Sequence, residues 1–444
     1  MKEIFDMWTD SSVFYQFYPL GFCGAPLNND GIVVPRIRKV MEWTDYLAGL
    51  HVNAVYFSPV FESDSHGYDT RDYSRIDARL GTNQDFADVC HSLHDKNIRV
   101  VLDGVFNHVG RGFRAFQDVL KNRENSLYKD WFYIRFDQNN AYNDGFSYEG
   151  WEGHYELVRL NLKNPQVEEH LFTCIRDWVS EYGIDGLRLD VAYCLDADFL
   201  RRLRTFCDSL KPEFLLLGEV LFGDYNRLVN DEMLHSCTNY ECCKGLYSSF
   251  NELNMFEIAY SLNRQFGPEN WTVYKGKHLL SFADNHDLTR LASIIKDKRH
   301  LPLVYAMMFG MPGVPCIYYG SEWGAEGVKE SGSDAALRPC FDRPVENELT
   351  GQIRKMAGVY RNSPALYDGD YRQLAVTNRQ FVFERNHPEE RIIVAVNASG
   401  EAYTAHFAPG MDEAEDLLSG QIISLSAGLE IPPYSSFWLK KNKS

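Results

Sequence analysis

Residues 164–191 read NPQVEEHLFTCIRDWVSEYGIDGLRLDV, and they hold one complete helix-to-strand unit. Val167, Leu171, Cys174, Ile175, Trp178 and Tyr182 recur at the spacing of helical turns, which places them on one stripe of a helix. Asn164 stands at the N-cap position, Pro165 in the first turn and Gly183 just past the last. Both ends therefore carry residues that start or stop a helix. After the stop, residues 186–191 (GLRLDV) form a short apolar run, the pattern of a buried strand. The pattern predicts a helix over 165–182 that delivers the chain into a parallel sheet.

The same alternation extends both ways. Apolar and β-branched runs at 13–18, 54–59, 100–106, 186–191, 214–220, weakly at 237–240, then at 279–283 and 314–319 alternate with helical patterns. Another helix is expected over 35–50, with Ile37, Val40, Met41, Leu47 and Ala48 on one face. Eight strands with intervening helices predict an α/β chain built on a (β/α)8 TIM barrel, over 1–108 and 161–363. Residues 109–160 lack a clear helix stripe and are crowded with Asn, Gly, Tyr and Trp, so they are expected to form an inserted loop domain after the third strand. Beyond Pro364, period-two runs at 380–385, 391–397, 403–408 and 429–440 predict a C-terminal antiparallel β-sandwich over 364–444.

The 444 residues carry a formal net charge of −17, which argues against nucleic acid as a partner, because phosphate binding needs clustered Lys and Arg. The start, MKEIFDMWTD, has no apolar run suited to a signal peptide, and no later stretch suits a membrane span. Ten cysteines lie without metal-ligand spacing, Cys242 and Cys243 being adjacent, as expected of reduced thiols in the cytoplasm. Oligomeric state is not legible.

In such barrels the functional groups gather at the C-terminal ends of strands. Four polar clusters fall there: Asp103–His108, Arg188–Asp190, Gly218–Val220 and Asp284–Asp287. Carboxylates at the ends of apolar strands are costly to bury unless paired or used. Cleaving a glycosidic bond takes one acid to protonate the leaving oxygen and one carboxylate to attack the anomeric carbon, and Glu219 and Asp190 supply that pair. Arg188, two residues before Asp190, shares its face of the strand, where its guanidinium is expected to keep Asp190 ionised.

On these motifs the chain resembles the α-amylase family, glycoside hydrolase family 13. The resemblance covers nearly the whole length and implies Asp190 as nucleophile, Glu219 as general acid/base and Asp287 as transition-state stabiliser. It further implies that His108 and His286 bind sugar hydroxyls, that Tyr68 within residues 66–70 (HGYDT) stacks under the reacting sugar, and that Asp334 and Arg338 grip sugars further along. Residues 313–324 (GVPCIYYGSEWG) resemble the family's last barrel strand. Residues 157–161 (LVRLN) are similar to the neopullulanase and cyclomaltodextrinase branch, without its proline.

Tyr193 and Cys194 depart from the family's residues after the nucleophile, on the leaving-group side. The resemblance implies no required cofactor and assigns no metal ligand. Its calcium site is matched at Asn107 and unmatched at Cys194, which leaves calcium open. The expected activity is retaining hydrolysis of α-1,4-glucosidic bonds in maltooligosaccharides or related α-glucans through a covalent glucosyl-Asp190 intermediate. The alternatives are a transglycosidase or isomerase of the trehalose synthase type, and an inactive carbohydrate-binding relative.

Overall fold

The structure, a computed structural model, describes residues 7–441. Eight short strands form one parallel sheet: β1 (Phe14–Phe17), β2 (Ala54–Phe57), β3 (Arg99–Gly104), β4 (Gly186–Leu189), β5 (Leu215–Gly218), β6 (Ser236–Cys237), β7 (Leu280–Phe282) and β8 (Val314–Tyr318). Their order is β6-β5-β4-β3-β2-β1-β8-β7, and a parallel bridge between Thr238 and Leu280 closes the ring. Strand alternation sorts the side chains. Phe14, Tyr56, Val101, Leu217 and Phe282 fill the interior, whereas Tyr15, Val55, Leu102, Leu187 and Leu216 pack outward among the helices.

Register is what positions the site. β4 sets Arg188 opposite Asp103 of β3, and Leu189 opposite both Gly104 of β3 and Gly218 of β5. Asp190 and Glu219, one residue further on, therefore leave adjacent strands at the same level.

The helix Pro165–Tyr182 is present with the predicted ends: the Asn164 side chain accepts from the Gln166 N–H at 2.8 Å, and Gly183 takes φ 68°. Three local predictions need correction. Residues 35–50 do not form one α-helix; Arg36–Trp43 is a 3-10 helix, followed by an α-helix at Thr44–Gly49. Ile37, Val40 and Trp43 are its buried residues, and that three-residue repeat suits three residues per turn. The insertion holds a helix after all, Arg114–Asn122, which buries Ala115, Phe116 and Val119. Finally, the run 429–440 divides into Leu429–Ile431 and Ser435–Lys440, on either side of Pro432 and Pro433, which lack the N–H a ladder needs.

After the barrel, six antiparallel strands form a sheet centred on Gln380–His387, Glu390–Asn397 and Ser435–Lys440. A two-stranded ribbon, Tyr403–Ala405 with Leu429–Ile431, shares a core with its Val382, Ile393, Ala395 and Leu439. The alternate residues Phe381, Phe383, Ile392 and Val394 join the barrel's outer core.

Arg385 fastens these two parts. It is buried and donates to the carbonyls of Gly310 (3.1 Å) and Gly369 (2.9 Å), both at or just past helix C-termini, where the macrodipole favours a cation. Burial pushes its pKa down to about 10. Arg385→Met leaves those carbonyls without donors and is expected to cost about 3 kcal/mol of stability. A urea midpoint equal to that of the wild type would contradict this.

Candidate active site

One guanidinium organises the mouth of the barrel. Arg188 lies opposite Asp103 in register, and its Nη1 is 3.0 Å from Asp103 Oδ2 and 3.0 Å from Asp190 Oδ1, while Nη2 is 2.8 Å from Glu219 Oε1. All four residues are buried. The expectation that Arg188 keeps Asp190 ionised needs correction, because three carboxylates share the guanidinium. Burial, followed by Glu219, pushes the Asp190 carboxyl well above its ordinary range against the pull of Arg188. Burial likewise raises Asp103.

The backbone just after Asp190 is strained. Val191 sits at φ 39°, ψ 48°, a left-handed conformation that costs a β-branched residue roughly 1–3 kcal/mol. The turn aims the Val191 N–H at Glu219 Oε2, 2.9 Å away. It thereby ties the side chain at the end of β5 to the end of β4.

Asp287, beyond β7, stands opposite. Arg338 Nη2 is 3.0 Å from its Oδ1, and His286 Nε2 is 3.1 Å from its Oδ2. Burial acts to raise its pKa, but His286, Arg338 and Arg188 outweigh it and hold the carboxyl below the usual range. At 36% side-chain exposure Asp287 is far more open than Asp190 at 8%. Arg338 also pairs with Asp334 at 2.9 Å and lies over the Tyr18 ring, so the two residues predicted as a pair form one.

The imidazoles are neutral. Burial pushes both His108 and His286 down to about 3. His286 Nδ1 faces Gln16 Nε2 at 2.8 Å, and its ring lies nearly parallel to those of Tyr18 and Tyr68. With the amide of Gln16 donating, the imidazole proton belongs on Nε2, which meets the Tyr68 hydroxyl. That hydroxyl, like that of Tyr56, donates to Asp103 Oδ2 at 3.0 Å. His108 differs: Asn107 Nδ2 lies 3.2 Å from Nδ1, and Nε2, buried, has no hydrogen-bond partner. Nε2 stands 3.9 Å from Asp190 Oδ2, and a buried donor without a partner calls for an incoming acceptor such as a hydroxyl.

The catalytic-domain model of the Alpha amylase family matches residues 16–356. The chain belongs to the α-amylase family. It is 30% identical over 428 residues to a cyclomaltodextrinase of Bacillus sp, covering 91% of this chain and 75% of that one. It is 31% identical over 429 residues to neopullulanase 2 of Thermoactinomyces vulgaris, covering 89% and 71%. Among solved structures it resembles the cyclic alpha-maltosyl-(1-->6)-maltose hydrolase of Arthrobacter globiformis, at TM-score 0.83 and 27% identity over 98% of this chain and 99% of that one. This protein is accordingly an amylase-type glycosidase.

Several residues of this α-amylase family site were not singled out from the sequence. Gln16 and Tyr18 lie at the end of β1, and Tyr56 within β2; their strands were legible, their hydroxyl and amide contacts were not. Trp151 comes from the insertion and packs on His108 with ring centroids 5.8 Å apart. Just past Asp190 and Glu219, Tyr193 meets Phe222 at 5.4 Å, and Phe222 is 69% exposed, making an apolar lip.

The neighbourhood of Asn107, where the family's calcium ligand position falls, does not suit that ion. Tyr133, Arg159, Lys163, Cys194 and Asp196 line the same cavity. Its one carboxylate, Asp196, already caps a helix by accepting from the Asp198 and Phe199 N–H groups, and it faces Lys163 at 3.9 Å. Calcium takes about six to eight oxygens, with carboxylates prominent among them. Arg159 and Lys163 supply positive charge instead. Among the described residues no group of three or more His, Cys, Asp or Glu could hold a metal.

Proposed function

We propose that this glycosidase hydrolyses α-1,4-glucosidic bonds of maltooligosaccharides or related α-glucans with retention of configuration. The observation that carries this reading is the sharing of Arg188 by Asp190 and Glu219, at 3.0 and 2.8 Å. It brings two carboxyl groups from adjacent strands together at one end of the barrel.

Retaining hydrolysis needs a nucleophile and an acid close together. Asp190 attacks the anomeric carbon from one side while Glu219, anchored by the Val191 N–H, protonates the departing oxygen. The covalent glucosyl-Asp190 ester is then opened by water, from which Glu219 takes the proton. Glu219 thus acts as acid in the first step and as base in the second, the exchange of roles that a retaining pair requires. Asp287 and the N–H edges of His108 and His286 hold the hydroxyls of the reacting sugar, and their grip tightens as positive charge grows on the ring. Tyr68 lies beneath that sugar, and the Asp334–Arg338 pair takes the sugar beyond it.

The names of the relatives, cyclomaltodextrinase and neopullulanase 2, support short or cyclic α-glucans as substrates. The apolar lip of Tyr193 and Phe222 favours a second outcome, in which a sugar rather than water accepts the glucosyl group. No helix of the described residues is long and apolar enough to cross a membrane. All ten cysteines are unpaired, which supports placing the enzyme in the cytoplasm.

Incubation with maltooligosaccharides, cyclodextrin, pullulan, starch, trehalose and sucrose tests the proposal. Maltotriose and cyclodextrin should yield glucose and maltose. Inertness towards every glucan would refute hydrolysis, and longer or rearranged products without net release would favour the transferase. The same assays with chelator should show unchanged rates and an unchanged melting midpoint. A midpoint that falls with chelator and returns with calcium would contradict the proposed independence of calcium.

A further inference from the structure

Behind the Arg338 loop lies a cluster that the proposed mechanism does not use. Cys23 follows the short helix Pro19–Phe22 after β1, and Cys340 lies two residues beyond Arg338. The two segments run against each other. A Cβ placed on Gly21 would fall 2.1 Å from the Arg338 carbonyl oxygen, and one on Gly24 would fall 3.2 Å from Cys340 Sγ and 3.7 Å from its Cβ. Cys23 immediately precedes Gly24 in the chain, and Lys39 and Cys340 are both among the groups whose charge reaches its thiol.

Lys39 completes the cluster. Its Nζ lies 3.2 Å from Cys340 Sγ and 3.2 Å from the Phe22 carbonyl oxygen, over the Phe22 ring. No carboxylate pairs with it among the described residues, so this ammonium is held against sulfur. A cation beside a thiol assists its reaction with oxidants. Cys340 is exposed and Cys23 buried. Burial pushes the Cys23 thiol up to about 12, Lys39 opposing, and exposure makes Cys340 the first that a dissolved oxidant meets.

We propose that Cys340 and Cys23 form a redox clasp on the Arg338 loop, in which a hydroperoxide oxidises Cys340 and Cys23 then closes a disulfide. In the first step the Cys340 thiolate attacks a peroxide oxygen. The S–O bond forms as the O–O bond breaks, the departing oxygen takes a proton, and the peroxide is reduced as sulfur loses two electrons to become sulfenic acid. In the second step the Cys23 sulfur forms the S–S bond as that S–O bond breaks, and the Cys23 proton leaves with the hydroxide as water. The cross-link stands two residues from the guanidinium that holds Asp287 and Asp334. Its effect on sugar binding rests on the function proposed above; its formation does not.

The experiment treats the full-length protein with hydrogen peroxide and follows intact mass, linked peptides and maltotriose kinetics. The result expected is loss of two hydrogens, a peptide joining Cys23 to Cys340, and a KM raised several-fold that dithiothreitol restores. Cys340→Ser should be immune, Lys39→Met should react roughly tenfold more slowly, and Lys39→Arg should keep the wild-type rate. Overoxidised Cys340 beside a free Cys23, or equal rates in Lys39→Met and the wild type, would overturn the clasp. A linked peptide with unchanged KM would overturn its coupling to the site. The linked peptide is readable even if no glucan is cleaved, so failure of the proposed function is distinguishable from failure of the clasp.

Discussion

Asp190→Asn is expected to lower kcat on maltotriose by at least about 10⁴-fold, because the amide cannot form the glycosyl ester. The fold should survive, and stability at neutral pH should hold or rise. The sign follows from the site: burial and Glu219 push the Asp190 carboxyl up in the folded protein, so folding disfavours its charged form. A raised folded pKa contributes stability that is present at low pH and lost as pH rises through it, and the neutral amide escapes that loss. Urea midpoints at neutral pH check the second half, and steady-state kinetics the first. Activity within tenfold of wild type would remove Asp190 from the nucleophile's role.

The second large effect is expected from Arg188→Met. Methionine fills much of the arginine's volume but leaves Asp103, Asp190 and Glu219 buried without their shared cation. Removing one partner of a buried ion pair costs about 3–5 kcal/mol, and here a single cation serves three carboxylates. The loss should shrink at low pH, where the carboxyls protonate, and grow as pH rises. What activity remains should be reduced at least about 10³-fold and should have its acidic limb moved to higher pH, because losing the cation makes each carboxyl harder to ionise. A variant with wild-type stability across pH would mean that the carboxyls do not depend on Arg188.

Much of this site was legible because the barrel writes it in a simple form. An apolar run that ends on Asp190 or Glu219 marks a strand leading to the mouth, and alternation puts Arg188 on the face of Asp190. What the runs do not contain is register. That Asp103 stands opposite Arg188, and that Glu219 reaches the same guanidinium, depends on how neighbouring strands slide, which no single segment encodes. Gln16 behind His286 and Trp151 against His108 escaped for a related reason, since each becomes part of the site only when distant segments meet.

The helix Arg114–Asn122 was lost for a local reason. Its apolar residues occupy only part of a short turn pattern between glycines and a long polar stretch. The 3-10 segment Arg36–Trp43 shows the converse: periods of three and of 3.6 cannot be told apart over two turns. Neither error moved the site, because both elements lie outside the strand ends that carry it.

The covalent bond proposed between the sugar and Asp190 can be trapped. A Glu219→Gln variant incubated with an activated fluoro-sugar of the α-maltosyl fluoride type should accumulate a glycosylated protein. Mass spectrometry of its peptides should place the added sugar on Asp190. An adduct on another residue, or substrate turnover that releases the inverted anomer with no adduct at any time, would contradict the account.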